Sequence, residues 1–266
     1  MHQIKMMGTT KILYKNTNIS YTERGKGNTL VFLHGFLEDN TMWEYYLDYF
    51  AQKNKVIAID LLGHGDSGCI GYIHSMEDMA DMVYAIISSL KIKKLTLIGH
   101  SMGGYVSLAF GELYPDYVKK IVLVSSSTRA DSADRKINRD RALEVIKKNS
   151  DLFVTMAINN TFLAETRITH AKEVEHHLEI ALKTPKQGII AAIEGMKSRT
   201  DREVLLHFAP YPIKMIVGTS DPVISPQEIQ KEIEGTDTEV FEINSGHMPQ
   251  IEAKEELLEA LTNSLK

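Results

Sequence analysis

The 266 residues carry 24% charged side chains and a net charge of only −5, so the basic footprint of a nucleic-acid binder and a polyanionic tail are both excluded. A single cysteine, Cys69, excludes an internal disulfide and fits a reducing compartment. Met1 to Met7 lacks the apolar run of a signal peptide, and no stretch reaches the roughly 18 apolar residues of a membrane span, so the expectation is a cytoplasmic chain with no membrane partner.

Lys11 to Asn16 and Ile19 to Arg24 alternate as two strands around a polar turn at Asn16-Thr17-Asn18. Thr29 to Leu33 is a continuous apolar run that stops at His34-Gly35-Phe36, the pattern of a strand buried on both faces of a parallel sheet. Trp43, Tyr46, Leu47 and Phe50 follow at helical spacing, and Lys55 to Asp60 repeats the buried strand before the glycine-rich loop Leu61 to Gly68. Met76, Met79, Ala80, Val83, Ile86, Ile87 and Leu90 then form one helical stripe, with Ser75 placed to cap it. Strands at Lys94 to Gly99 and Lys120 to Ser125 flank a helix bearing Val106, Phe110 and Leu113. Apolar strands alternating with amphipathic helices predict an α/β fold with a mostly parallel, doubly wound sheet.

After this sixth strand the alternation stops for about 85 residues, against the dozen or so that a crossover needs. The interval is helical in pattern, with apolar sets around Leu143, Phe153, Val174 and Ile189. Residues 130–199 therefore read as an inserted helical cap, and residues 1–129 with 200–266 as the core domain. Asp201 to Phe208 returns the chain to the sheet, which resumes with strands Ile213 to Gly218 and Glu239 to Ile243, a helix from Ser225 between them and a last helix bearing Leu257, Leu258 and Leu261.

The chemistry concentrates where strands end. Leu95 to Gly99 runs into Gly99-His100-Ser101-Met102-Gly103, in which small residues on either side allow a turn tight enough to raise the serine hydroxyl at the strand tip. A serine needs a base and an acid that orients the base. Asp221 and His247 each follow an apolar strand, in the order serine, aspartate, histidine. Asp60 and Glu242 are the competing acids, the first read as structural and the second lying within a strand. Backbone N–H groups of Met102 and Phe36 are the expected oxyanion donors. His34, His64 and His100 lack helix-face ligand spacing with a carboxylate, so no metal and no cofactor is expected.

With His34-Gly35-Phe36, Asp60 to Ser67, Gly99 to Gly104, Gly218 to Asp221 and Ser245 to His247, the chain resembles the α/β-hydrolase superfamily in its lidded, carboxylesterase-like branch. The resemblance implies an α/β-hydrolase fold with a cap after the sixth strand and a serine carboxylesterase, acting on a small-molecule ester of short to medium acyl chain. Ser101 stands where haloalkane dehalogenases and epoxide hydrolases carry aspartate, which disfavours both. Candidate pocket side chains are Phe36, Trp43, Met102, Phe153, Met156, Phe162 and Met196. The same triad serves C–C bond hydrolysis, lactone opening or perhydrolysis, and a carboxylate-bearing substrate would want an arginine, for which Arg129, Arg167 and Arg199 are candidates. A slow-turnover ligand receptor is the alternative of another class; the oligomeric state is left open.

Overall fold

The computed structural model describes residues 9–266, so the reading of Met1 to Met7 lies outside the described residues. Among the described residues, eight strands form one sheet: β1 (Thr10–Tyr14), β2 (Thr17–Gly25), β3 (Asn28–Leu33), β4 (Asn54–Ile59), β5 (Leu95–His100), β6 (Val118–Val124), β7 (Ile213–Gly218) and β8 (Glu239–Ile243). Their spatial order is β1-β2-β4-β3-β5-β6-β7-β8, antiparallel for β1–β2 and β2–β4 and parallel from β4 to β8.

The buried strands owe their unbroken apolar runs to a core on each face. Val31, Leu33, Leu97, Ile121 and Met215 face one layer, with helices α2 (Met76–Ser89) and α3 (Met102–Leu113), whereas Leu30, Phe32, Ile98, Val122 and Ile216 face the other, with α1 (Glu44–Phe50) and the C-terminal Leu257 and Leu261. Ser75 caps α2 as its position predicts, its Oγ accepting from the Asp78 N–H at 3.0 Å. The first hairpin turns one residue earlier than expected. Tyr14 pairs with Thr17, and Lys15 and Asn16 take φ of 42° and 64°, the two left-handed residues that a two-residue hairpin needs to match strand twist.

Between β6 and β7 the chain makes α4 (Ala133–Lys148), α5 (Ser150–Thr161), α6 (Thr166–Thr169), α7 (Ala171–Leu182) and α8 (Lys186–Ser198), a helical cap inserted after the sixth strand. Within it α4 packs on α8 and α5 on α7, and the Ala191 carbonyl of α8 accepts from the core His74 N–H at 2.9 Å. Arg202, almost fully buried, pairs with Glu77 of α2 and Glu112 of α3 and so fixes the strap that leads into α9 (Val204–Phe208). The sheet closes with α10 (Pro226–Glu232), α11 (Pro249–Glu252) and α12 (Lys254–Ser264). Among the described residues, no helix is long and apolar enough to cross a membrane.

Candidate active site

β5 delivers Ser101 through a turn in which Ser101 itself adopts φ 47°, ψ −112°, strained backbone for any residue with a Cβ. The turn closes because Gly99 and Gly103 lack side chains: a Cβ on Gly99 would meet the Gly103 carbonyl oxygen at 2.3 Å, and one on Gly103 the Leu33 carbonyl oxygen at 2.4 Å. Two hydrogen bonds pin it, Ser101 N–H to the Val124 carbonyl at 2.9 Å and Ser126 Oγ–H to the Ser101 carbonyl at 2.8 Å.

The loops after β7 and β8 are laced together. Thr219 N–H donates to the Ile243 carbonyl and Ser220 N–H to the Ser245 carbonyl, both at 3.0 Å, and a Cβ on Gly218 would meet the Gly246 carbonyl oxygen at 2.3 Å. This contact sets Asp221 against His247, with Asp221 Oδ2 at 2.9 Å from His247 Nδ1, while His247 Nε2 lies 3.0 Å from Ser101 Oγ. Asp221 Oδ1 also accepts the Val223 and Ile224 amides at 2.7 and 2.9 Å. Burial pushes the Asp221 carboxyl up, but the charge and hydrogen bond of His247, with those two amides, outweigh it and hold the group below the ordinary carboxylate range. An ionised acceptor on Nδ1 leaves Nε2 of neutral His247 as the lone pair facing the serine. The competing acids are engaged elsewhere: Asp60 accepts the Asn40 and Asp66 amides at 2.8 and 3.1 Å, and Glu242 is exposed within β8.

The Phe36 and Met102 amides, at the exits of β3 and β5, have no hydrogen-bond acceptor among the described residues. His34 supports the first of these loops: its Nε2 accepts the Leu61 N–H at 2.9 Å and its Nδ1–H donates to the Gly35 carbonyl at 2.7 Å.

Sequence reasoning missed Glu38. This buried carboxylate accepts from the Gly35 N–H and from His100 Nδ1 at 3.1 Å, and His100 Nε2 faces the His247 carbonyl at 2.8 Å. Both ring nitrogens of His100 thus face acceptors, which only the imidazolium satisfies. Burial opposes charge on both partners, yet each outweighs it for the other, drawing Glu38 down and His100 up. The pair ties the β3 exit, the turn at Ser101 and the His247 loop into one unit. Removing one member of such a buried pair leaves the other uncompensated, so Glu38→Gln is expected to cost about 3 kcal/mol. The depressed carboxyl contributes stability above its unfolded pKa of 4.5 and loses it as pH falls through its lower folded value. The raised imidazole contributes below its unfolded pKa of 6.5 and loses it as pH rises through its higher folded value. The gap between wild type and variant in urea unfolding is therefore widest near pH 5.5 and narrower at pH 9.

A cavity of about 120 Å³ under the cap is lined by Ser101, His247, Phe36, Tyr105, Ile158, Met196 and Met248, and by two arginines of α4, Arg135 and Arg139. Of the side chains expected there, Phe36 and Met196 are lining residues. Phe153 stands behind Phe36 with ring centroids 6.5 Å apart, and the Met102 side chain is buried in the core. Met156 is 53% exposed on the outside of α5. Phe162 packs on the His177 ring, 5.8 Å away. Trp43 is a correction: it lies in the core on the other face of the sheet, its ring 5.3 Å from that of Phe32, because its helical stripe faces the strands rather than their tips.

The arginines also differ from expectation. Arg129 pairs with Glu203, Arg167 points to the Asn159 carbonyl on an exposed face, and Arg199 is buried against Asp131 and the Tyr105 ring. Arg135 and Arg139 could not be singled out from a helix in which polar residues dominate every face. A second cleft, of 510 Å³, opens at the amino ends of β3 and β5 beside Asn28 and Lys94, far from Ser101. Among the described residues no group of histidine, cysteine, aspartate and glutamate has the arrangement of a metal site.

A family model described as the alpha/beta hydrolase fold matches residues 28–254. The chain is 28% identical over 241 residues to a dihydrolipoyllysine-residue acetyltransferase component of the acetoin cleaving system of Pseudomonas putida, covering 88% of this chain and 62% of that one. It is 33% identical over 191 residues to a 2-hydroxy-6-oxononadienedioate/2-hydroxy-6-oxononatrienedioate hydrolase of Burkholderia vietnamiensis, covering 64% of this chain and 66% of the relative. The alignments thus span just under two thirds of these curated relatives. Among solved structures, a thermophilic esterase from Thermogutta terrifontis with malate bound superposes with a TM-score of 0.90 at 29% identity, covering 97% of this chain and 98% of that one.

Proposed function

The chain belongs to the alpha/beta hydrolase family, and from that premise we propose a serine hydrolase that cleaves carboxylic esters of short acyl chain through an acyl-enzyme. The observation that carries the reading is the relay of 3.0 Å from Ser101 Oγ to His247 Nε2 and 2.9 Å from His247 Nδ1 to Asp221, beneath the cap. The likeness to the Thermogutta terrifontis esterase supports the ester bond as target.

Ser101 Oγ attacks the acyl carbonyl carbon as its proton passes to His247 Nε2, and the Phe36 and Met102 amides receive the charge that develops on the carbonyl oxygen. His247 then returns the proton to the departing alkoxide. Water enters, gives a proton to His247 and attacks the acyl carbon, and collapse restores Ser101 with release of the acid. Asp221 stays ionised throughout, orienting the ring and stabilising the imidazolium.

Size sets the acyl preference. A cavity of about 120 Å³ is well below the roughly 300–1,000 Å³ of sites that take drug-sized ligands, which favours a short acyl chain. On a series of p-nitrophenyl esters, kcat/KM is expected to peak between acetate and butyrate, and a fluorophosphonate is expected to label Ser101. A maximum at octanoate or beyond, or labelling elsewhere, overturns the assignment. The likeness to the Burkholderia vietnamiensis hydrolase supports a second reading, C–C bond cleavage by the same residues. Turnover of a dienoate β-ketone with no turnover of any ester would select it.

A further inference from the structure

Arg135 and Arg139 stand four residues apart on α4, hence on one face, and both line the small cavity that holds Ser101 and His247. Their partners leave positive charge over. Asp131, its side chain fully buried, is shared between Arg139 and Arg199, the latter donating at 2.6 Å. Arg135 donates to the Val223 carbonyl at 2.7 Å and approaches Glu228, 57% exposed, at 3.5 Å. Three guanidiniums thus meet two carboxylates, one of them in solvent. Glu38 also lines the cavity, but His100 and the Gly35 amide neutralise and occupy it.

A cation surplus at a small cavity is a recognition element, because a planar guanidinium offers paired donors to a carboxylate. Nε and Nη1 of Arg135 and Nη1 of Arg139 have no acceptor among the described residues. The acyl half remains in the cavity through both chemical steps, so an anionic group on that half is held throughout. We infer that Arg135 and Arg139 form an anion subsite on the cap, and that the preferred substrate class is an ester whose short acyl group ends in a carboxylate, a monoester of a four- or five-carbon dicarboxylic acid. The substrate class rests on the ester-hydrolase reading; the subsite itself does not.

The test compares monoethyl succinate with ethyl butyrate, equal in acyl length and different in the terminal group, by proton release in a pH-stat. Wild type is expected to favour the monoester at least tenfold in kcat/KM. Arg135→Gln should lower that ratio about tenfold or more, and Arg135→Lys, which keeps the charge without the planar fork, should fall between. Arg139→Gln strips Asp131 of a partner and serves as a second variant only where it folds. A wild-type ratio at or below one, or a ratio unmoved by Arg135→Gln, overturns the substrate class. Calorimetric titration with succinate reads the subsite without turnover: binding at least tenfold weaker in Arg135→Gln supports it, and no binding to wild type overturns it. Succinate binding without hydrolysis of any ester would overturn the hydrolase reading and leave the subsite standing.

Discussion

Ser101→Ala is expected to reduce kcat for p-nitrophenyl acetate by about 10⁴- to 10⁶-fold while leaving the protein folded. The loss follows from removing the hydroxyl proposed to form the covalent intermediate, and the intact fold follows from how little else that atom does. Ser101 Oγ touches His247, whereas the turn is held by backbone and by Ser126. Alanine keeps a Cβ at φ 47° and therefore keeps the strain. Ser101→Gly removes both the nucleophile and the strain, and is expected to unfold about 1 kcal/mol later than Ser101→Ala in urea titrations. A glycine variant no more stable than the alanine one would show that the turn is not strained, and residual turnover near wild type in either would remove Ser101 from the mechanism.

The legible parts of this molecule were those in which local pattern and tertiary environment make the same demand. β5 is buried at every position and is apolar in sequence but for Thr96 and the terminal His100, and the interval after β6 lacks strands because helices fill it. Ser101, Asp221 and His247 were visible because each follows a strand, and strand exits in such a sheet converge on one edge. What escaped depends on contacts between distant segments. Glu38 lies two residues beyond the His34-Gly35-Phe36 motif and outside it, and its partner His100 is 62 residues away. Trp43 shares a helical stripe with Tyr46, Leu47 and Phe50, and a stripe does not say which face of the sheet it covers. Arg135 and Arg139 look like surface charges on α4 until α4 is laid over the strand tips, where they join Ser101 around one cavity.

Asp221→Asn carries the second large effect, a fall of about 10⁴-fold in kcat with KM little changed. The carboxylate accepts a hydrogen bond from the His247 Nδ1–H with both oxygens within 3.1 Å. An asparagine keeps one acceptor oxygen, and the Val223 and Ile224 amides already claim the oxygen at that end of the side chain. Satisfying those amides turns the new NH₂ toward Nδ1, which becomes the acceptor, so the ring proton moves to Nε2 and points at Ser101. The base is then present but in the wrong tautomer, and substrate binding, made by the cavity walls, is not affected. Because serine, base and acid act as a unit, adding Ser101→Ala to Asp221→Asn should give kcat no lower than Ser101→Ala alone. Glu242→Gln, altering the rival acid, should leave kcat within twofold of wild type. A strong loss in Glu242→Gln with activity kept in Asp221→Asn would transfer the acid's role to β8.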